Sequence, residues 1–221
     1  MYYDICIIDY FTEEFINRNE QNCIWKNFHV KPIMARGHGQ AIVEIVCHIN
    51  PNVQWCYATI GSETSLDEIM NILNYLGNSH MAKVINMSFG FYEINDEYKR
   101  KYQKIIDMLS KKRIRIICAT DERGIKTYPA SFLGVYSVYV NKKNSVSNIE
   151  ICKNNYEIFF PSISILVPWI GGRYIWVWGS SFYTAIVSGV FTRGENSDEL
   201  LCNLNIRKCL GDDLLMEYGK T

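Results

Sequence analysis

Three polar residues that lie far apart in the chain carry the groups needed for nucleophilic acyl transfer. Asp9 ends an apolar run, His38 lies between two glycines before a segment of helical period, and Ser181 starts another such segment. Serine is a weak nucleophile at neutral pH and needs an adjacent base, for which histidine has the right basicity. A carboxylate then fixes the histidine tautomer and stabilises the imidazolium. A strand end, a glycine-flanked loop and a helix start are suitable positions for these groups.

Each of these residues also has a simpler interpretation. Asp9 could form a turn, His38 could be a loop histidine or the cap of a phosphate-type site, and Ser181 could be a helix N-cap. Taken singly, the turn and the N-cap are favoured, and the interpretations of His38 are even. The chain order Asp, His, Ser on these three kinds of element favours the catalytic interpretation, because the same order occurs in a known triad arrangement.

Short apolar runs alternate with segments of helical period, and these elements must position the three groups. Strands are predicted over residues 3–8, 54–60, 84–87, 114–119 and 135–140, and helices over residues 40–49, 65–76, 96–112 and 181–191. Such alternation predicts an α/β fold with a mostly parallel sheet and helices on both faces. Ligands of such sheets bind beyond the carboxyl ends of the strands, where Asp9, Ser88 and Asp121 are expected to lie.

Several motifs resemble, in chain order, those of the subtilisin-like serine peptidases. Residues 84–90, Val-Ile-Asn-Met-Ser-Phe-Gly, are similar to the family's strand ending in N-x-S-x-G. Residues 118–121, Cys-Ala-Thr-Asp, resemble its A-A-G-N segment, and residues 128–132, Tyr-Pro-Ala-Ser-Phe, resemble its Y-P-A-x-(Y/F) strand. The resemblance implies a three-layer, subtilisin-like α/β fold and a single peptidase domain over residues 1–221.

The resemblance also implies roles for the matching residues. Ser181 is the expected nucleophile, His38 the proton shuttle and Asp9 the group that orients His38. Asp121 stands at the position of the family's oxyanion-hole asparagine. The implied substrate-binding residues, which pair with an extended peptide and wall the S1 pocket, are Ser88, Phe89, Gly90, Ala119 and Thr120.

The sharpest departure from the family pattern is Asp121. An amide donates a hydrogen bond to the oxyanion, whereas an ionised carboxylate repels it, and loss of one such donor costs roughly 10²–10³ in rate. Two alternatives stay open: burial keeps Asp121 protonated when substrate excludes water, or the Ser181 backbone N–H carries most of the stabilisation. The change at Asp121 leads us to expect slow but real turnover. Separately, Thr120 and Thr127, at the pocket wall and near its base, are expected to narrow the S1 pocket.

Charge and apolar patterning exclude several classes of partner. Lys plus Arg and Asp plus Glu balance at 23 each, so nothing indicates nucleic acid or an anionic membrane. No apolar run is long enough to span a bilayer, and no secretory signal precedes the first apolar run. These features lead us to expect a cytoplasmic protein.

The cysteines indicate a reducing compartment. The chain has 8 of them: Cys6, Cys23, Cys47, Cys56, Cys118, Cys152, Cys202 and Cys209. They form no CxxC pair or zinc-ligand cluster, and most lie in apolar runs, so free thiols are predicted, with a disulfide framework as the alternative. No cofactor is expected. No metal is expected either, because only residues 50–52 stand where secreted relatives insert a calcium-binding loop.

These observations favour a serine endopeptidase that acts on a peptide or protein substrate, with one dedicated precursor peptide as the preferred case. The alternative is a binding module of the same fold that has lost catalysis, and a second protein subunit that completes the site is also left open. A third interpretation, an α/β protein that binds nucleotide or phosphate, has no Walker A or dinucleotide fingerprint to support it.

Overall fold

The computed structural model describes residues 2–26, 37–141, 149–194, 199, 201 and 215–217. Its centre is an eight-stranded sheet with the order β2-β3-β1-β4-β5-β6-β8-β7. The strands are β1 (Tyr3–Asp9), β2 (Cys23–Lys26), β3 (Trp55–Thr59), β4 (Ala82–Met87), β5 (Arg115–Ala119), β6 (Val135–Asn141), β7 (Glu150–Cys152) and β8 (Glu157–Pro161). All neighbours pair in parallel except β7 and β8, which are antiparallel.

Helices cover both faces of this sheet. They are α1 (Glu13–Arg18), α2 (His38–Ile49), α3 (Leu66–Ser79), α4 (Asp96–Lys111) and α5 (Ser180–Phe191). The strand β1 is buried on both sides: Ile5 and Ile7 face the core formed with α2 and α5, and Cys6 and Ile8 face the core formed with α3 and α4. This alternation explains why β1 is a continuous apolar run rather than an alternating one.

The predicted α/β fold with a mostly parallel sheet is confirmed. The five predicted strands and four predicted helices are all present, and the largest shift is at the end of α3, which continues to Ser79. The start of α3 follows from its cap, since the Ser65 hydroxyl accepts a hydrogen bond from the Glu68 N–H at 3.2 Å.

A second sheet of three antiparallel strands follows the main sheet. It has the order β10-β9-β11, with β9 (Ile163–Trp169), β10 (Arg173–Val177) and β11 (Leu215–Glu217). Strand β10 ends at Val177, so only Trp178 and Gly179 separate it from α5. This sheet therefore delivers the chain directly to the helix that begins beside Ser181.

The described residues contain free thiols and no membrane-spanning helix. Cys6, Cys23, Cys47, Cys56, Cys118 and Cys152 are free, whereas Cys202 and Cys209 lie outside the described residues. Within the described ranges, no helix has the length and apolarity that crossing a bilayer requires. The same ranges hold no group of three or more His, Cys, Asp or Glu side chains that could hold a metal ion.

Candidate active site

A buried carboxylate and an imidazole meet at the carboxyl edge of the sheet. His38 Nδ1 lies 2.8 Å from Asp9 Oδ1, and the exposed fractions of the two side chains are 19% and 1%. Asp9 is the last residue of β1 and His38 the first residue of α2, so two regular elements fix the pair. The Tyr10 N–H also donates to Asp9 Oδ1, at 2.6 Å. Because a carboxylate only accepts, His38 Nδ1 carries its proton and Nε2 is the basic nitrogen.

The electrostatics of this pair favour the imidazolium. Burial lowers the pKa of His38, whereas the charge of Asp9 and the hydrogen bond to it raise the pKa, which ends above its ordinary value of 6.5. The other carboxylate oxygen, Asp9 Oδ2, is buried without a hydrogen-bond partner among the described residues, as is the Thr59 hydroxyl on the neighbouring strand. Among the described residues, the hydrogen bonds to the Asp9 carboxylate are therefore accepted by Oδ1, the oxygen that faces His38.

The glycines beside His38 let α2 approach the end of β1. Gly37 has a φ of 93°, a conformation that side chains rarely adopt, and it forms the N-cap of α2. The Gly39 N–H donates to the Tyr10 carbonyl at 3.1 Å. A Cβ on Gly39 would lie only 2.5 Å from that carbonyl oxygen and 2.8 Å from the Phe11 ring. Both glycines are therefore needed to bring the imidazole onto Asp9.

Replacing Gly39 by alanine is expected to destabilise the protein by about 1–3 kcal/mol, because the new methyl group meets backbone rather than a movable side chain. The same displacement moves His38 away from Asp9, so peptide cleavage should fall as well. Chemical denaturation and activity assays measure the two effects. Gly77→Ala is the matched control, since its Cβ would meet the ends of the Met108 and Leu109 side chains rather than backbone. Equal effects of the two substitutions would contradict the close approach at Gly39.

Ser181 is the accessible residue of an otherwise buried helix. All other residues of α5 are buried, whereas Ser181, in the first turn, is half-buried. The Ser181 hydroxyl donates to the Ser88 carbonyl at 2.9 Å and, among the described residues, makes no hydrogen bond to His38. The His38 ring lies 5.2 Å from the ring of Phe182, centre to centre, which places the imidazole beside the nucleophile position.

A buried polar network holds the start of α5 against β4. The Ser188 hydroxyl accepts from Asn86 Nδ2 at 2.9 Å, and the Ser88 hydroxyl lies 3.0 Å from Asn86 Oδ1. The Ser88 hydroxyl also lies 3.2 Å from the Ser181 carbonyl oxygen. The polar side chains of Asn86 and Ser88 thus face the interior and hold α5 near Ser181.

The segment that follows Gly90 is joined by backbone hydrogen bonds to the segment at Tyr128. Phe91 and Tyr128 exchange backbone hydrogen bonds of 2.7 and 2.8 Å. Gly90 is exposed, and a Cβ there would lie 3.1 Å from the Thr127 Cβ, so Gly90 and Thr127 lie in close contact. Phe89 is half-buried and stacks edge-on against Phe91. The expected narrowing of the S1 pocket by Thr127 stays a prediction.

The Thr120 side chain is hydrogen-bonded to the main sheet. Its hydroxyl donates to the Val138 carbonyl at 2.8 Å, across to β6. Ala119 precedes it as the last residue of β5 and is also buried. Thr120 instead contributes its backbone carbonyl, which accepts from the Ser180 hydroxyl at 2.5 Å. Thr120 therefore contacts the start of α5 through its backbone, and the expected part of Ala119 and Thr120 in substrate binding stays a prediction.

The Asp121 carboxylate is held by the side chains of Arg123 and Tyr92. Its Oδ2 accepts from Arg123 at 2.9 Å and from the Tyr92 hydroxyl at 2.9 Å. The hydrogen bond from Arg123 and the one from Tyr92 hold the pKa of Asp121 well below its usual range. Of the two alternatives for oxyanion stabilisation, protonation of Asp121 is therefore disfavoured. The Ser181 backbone N–H, in contrast, has no hydrogen-bond partner among the described residues.

Asp121→Asn is expected to hold kcat or raise it by up to about 10²-fold, because one restored oxyanion donor is worth roughly 10²–10³ in rate. Steady-state kinetics on a good peptide substrate measure this. Asp107→Asn, at an exposed carboxylate on α4, controls for the loss of a negative charge. A fall in kcat for Asp121→Asn would contradict the oxyanion position and assign Asp121 to the link with Arg123 and Tyr92.

Glu122 is the residue that sequence reasoning missed. Its Oε1 accepts from the Ser180 N–H at 3.1 Å and lies 3.0 Å from the Ser180 hydroxyl. The sequence offers only one signal for this contact, namely a helix start at Gly179 with no capping side chain of its own.

Solved structures similar to this chain share its fold. Prenylagaramide maturation protease PagA has a TM-score of 0.64 and 19% identity, over 93% of this chain and 76% of that one. The protease domain of PatA has a TM-score of 0.63 and 19% identity, over 86% of this chain and 78% of that one. The epidermin leader peptide processing serine protease EpiP from Staphylococcus aureus has a TM-score of 0.61 and 20% identity, over 86% of this chain and 64% of that one.

At identities this low, the TM-scores establish a common fold and nothing further. No protein-family model and no curated protein matches the chain. In this chain the mostly parallel sheet lies between two layers of helices. The chain has the subtilisin-like, three-layer α/β fold.

Proposed function

We propose that the chain is a serine endopeptidase with Ser181 as nucleophile, His38 as general base and Asp9 as the group that orients His38. The observation that carries this proposal is the 2.8 Å contact between His38 Nδ1 and Asp9 Oδ1, beside the first turn of α5. A buried carboxylate bound to an imidazole, next to the accessible hydroxyl at a helix start, has the composition that acyl-transfer chemistry needs.

In the proposed reaction, the Ser181 hydroxyl leaves the Ser88 carbonyl and turns to His38 Nε2. His38 accepts the proton as Ser181 Oγ attacks the peptide carbonyl, and Asp9 stabilises the imidazolium that forms. The proton then passes to the leaving amine, and the peptide C–N bond breaks to give an acyl-enzyme. Water, activated by the same imidazole, hydrolyses the ester and restores Ser181.

The developing oxyanion is stabilised by backbone. The Ser181 N–H has no other partner among the described residues and lies in the first turn of α5. An N–H group at a helix N-terminus combines a hydrogen bond with the positive end of the helix dipole, which favours negative charge. This N–H stabilises the oxyanion in place of Asp121, which cannot donate a hydrogen bond while its pKa is held low.

We further propose that the substrate binds as an extended strand along Ser88, Phe89 and Gly90, with a small residue before the scissile bond. An exposed strand edge binds peptides through main-chain hydrogen bonds. The proposal of a small residue rests on Thr127, which lies in close contact with Gly90. PagA and EpiP are, by their names, a maturation protease and a leader peptide processing protease, which supports a dedicated processing role here. Free thiols at the six described cysteines support a cytoplasmic setting.

A mixture of synthetic peptides in which every amino-acid type occurs on each side of a peptide bond tests this proposal. Mass spectrometry should find cleavage at one narrow class of sites, after small residues, in wild-type protein but not in Ser181→Ala. Rapid digestion of casein at many sites would contradict the processing role, whereas no cleavage of any peptide would contradict the peptidase itself.

A second candidate function is a peptide-binding module without catalysis. The observation that favours it is the Ser181 hydroxyl, which donates to Ser88 rather than to His38. Such a module would retain a peptide ligand in fluorescence polarisation and release it uncleaved. Covalent reaction of Ser181 with a fluorophosphonate separates the two functions, because it requires the base.

A further inference from the structure

The helix that carries Ser181 has no cap from its own chain segment. Its N-cap is Gly179, which has no side chain, so the buried N–H of Ser180 would be left without an acceptor. A buried N–H without a partner is unfavourable. The acceptor comes instead from a distant loop, since Glu122 Oε1 lies 3.1 Å from the Ser180 nitrogen.

The same loop also holds the Ser180 side chain. The Ser180 hydroxyl lies 2.5 Å from the Thr120 carbonyl oxygen and 3.0 Å from Glu122 Oε1. Residues 120–122 therefore contact both the backbone and the side chain of Ser180, and we call this set of contacts the Ser180 clamp. The clamp joins the end of β5 to the first residue of α5.

The clamp also fixes the turn before the nucleophile. Gly179 has a φ of 121°, which is open to glycine alone, and a Cβ there would lie 2.8 Å from Glu122 Oε1. The carboxylate thus occupies the space beside the turn. It accepts from Ser180 and leaves the next N–H, that of Ser181, without a partner among the described residues.

We propose that Glu122 is a positioning residue for the nucleophile: it caps α5 through Ser180 so that the Ser181 hydroxyl and N–H face the groove. This proposal rests on the proposed peptidase function. Glu122 fulfils this role through its acceptor oxygen and not through its negative charge, because a negative charge near the developing oxyanion opposes catalysis. Glutamine keeps the acceptor and removes the charge, whereas alanine removes both.

The test compares Glu122→Ala, Glu122→Gln and Ser65→Ala in the full chain. Ser65→Ala is the matched control, because it removes the N-cap of α3, a helix on the opposite face of the sheet. The second-order rate of fluorophosphonate labelling at Ser181 should fall about 10- to 100-fold in Glu122→Ala, since small misplacements of reacting groups cost about that much. Glu122→Gln should recover most of the lost rate, and Ser65→Ala should react at the wild-type rate while losing thermal stability.

Labelling of Glu122→Ala at the wild-type rate, or of Glu122→Gln as slowly as Glu122→Ala, would overturn the proposal. Hydrogen exchange at the Ser180 amide gives a readout that needs no activity: it should speed up at least about tenfold in Glu122→Ala and stay slow in Glu122→Gln. A wild-type protein that is not labelled at all would overturn the proposed peptidase function instead, and the exchange rate would still decide whether the clamp exists.

Discussion

Peptide cleavage is expected to fall by about 10⁴-fold or more when Ser181 is replaced by alanine, because no acyl-enzyme can form without the hydroxyl. The fold should persist, since Ser181 is the one residue of α5 that is not buried and, within the described ranges, its hydroxyl bonds only the Ser88 carbonyl. Initial rates on the best peptide from the cleavage profile measure the loss, and the thermal unfolding midpoint checks the fold.

The exposed Ser62 provides a matched control for this substitution. Ser62→Ala should cleave at the wild-type rate. Retention of more than about one tenth of the activity in a folded Ser181→Ala protein would show that another residue is the nucleophile. Ser180, which is buried and held in the Ser180 clamp, would then be the first residue to test.

Asp9→Asn is expected to lower kcat/KM by about 10³–10⁴-fold, a loss typical of triads in which the carboxylate becomes an amide. The amide no longer requires a proton on His38 Nδ1, so the basic nitrogen is not fixed at Nε2, and it does not stabilise the imidazolium. Asp107→Asn controls for the change in net charge, because that carboxylate lies exposed on α4.

The pH dependence of Asp9→Asn gives an independent check. The base must be neutral, so wild-type kcat/KM should rise with pH through the pKa of His38, which lies above 6.5. Burial lowers this pKa and Asp9 raises it. Removal of the charge leaves burial, so the rise in the residual activity should move to lower pH. A profile that stays in place, or moves to higher pH, would contradict the role of Asp9.

Much of the fold could be predicted because the strands of the parallel sheet are buried on both faces. Such strands appear as continuous apolar runs, as in β1 and β5, and their ends are marked by the first polar residue. For the same reason Asp9 could be placed at the strand end. The helices α3 and α4 could be predicted from their apolar stripes and from the cap at Ser65.

The second sheet could not be predicted from the same signals. In β10, the exposed residues Tyr174 and Trp176 are aromatic, so the strand lacks the polar positions that mark a solvent-facing side. Strand β9 contains Pro168, which argues against a strand in any local pattern. Helix α1 has six residues, too few to show a helical period.

Within the site, positions could be predicted better than side-chain directions. The resemblance placed Asp121 at the oxyanion and Thr120 at the pocket wall, but their side chains turn to Arg123 and to β6. The Glu122 side chain reaches the nucleophile helix instead. These directions depend on contacts between residues that are distant in the chain, such as Tyr92 with Asp121, which no local pattern encodes.

The most direct test of the central claim is the position of a fluorophosphonate adduct. Wild-type protein is treated with the probe, digested and mapped by mass spectrometry, alongside His38→Ala. The proposed triad predicts one adduct on Ser181, with labelling at least about 10³-fold slower in His38→Ala, since the base must accept the serine proton. Equal labelling of the two proteins, an adduct elsewhere or no adduct would contradict the triad.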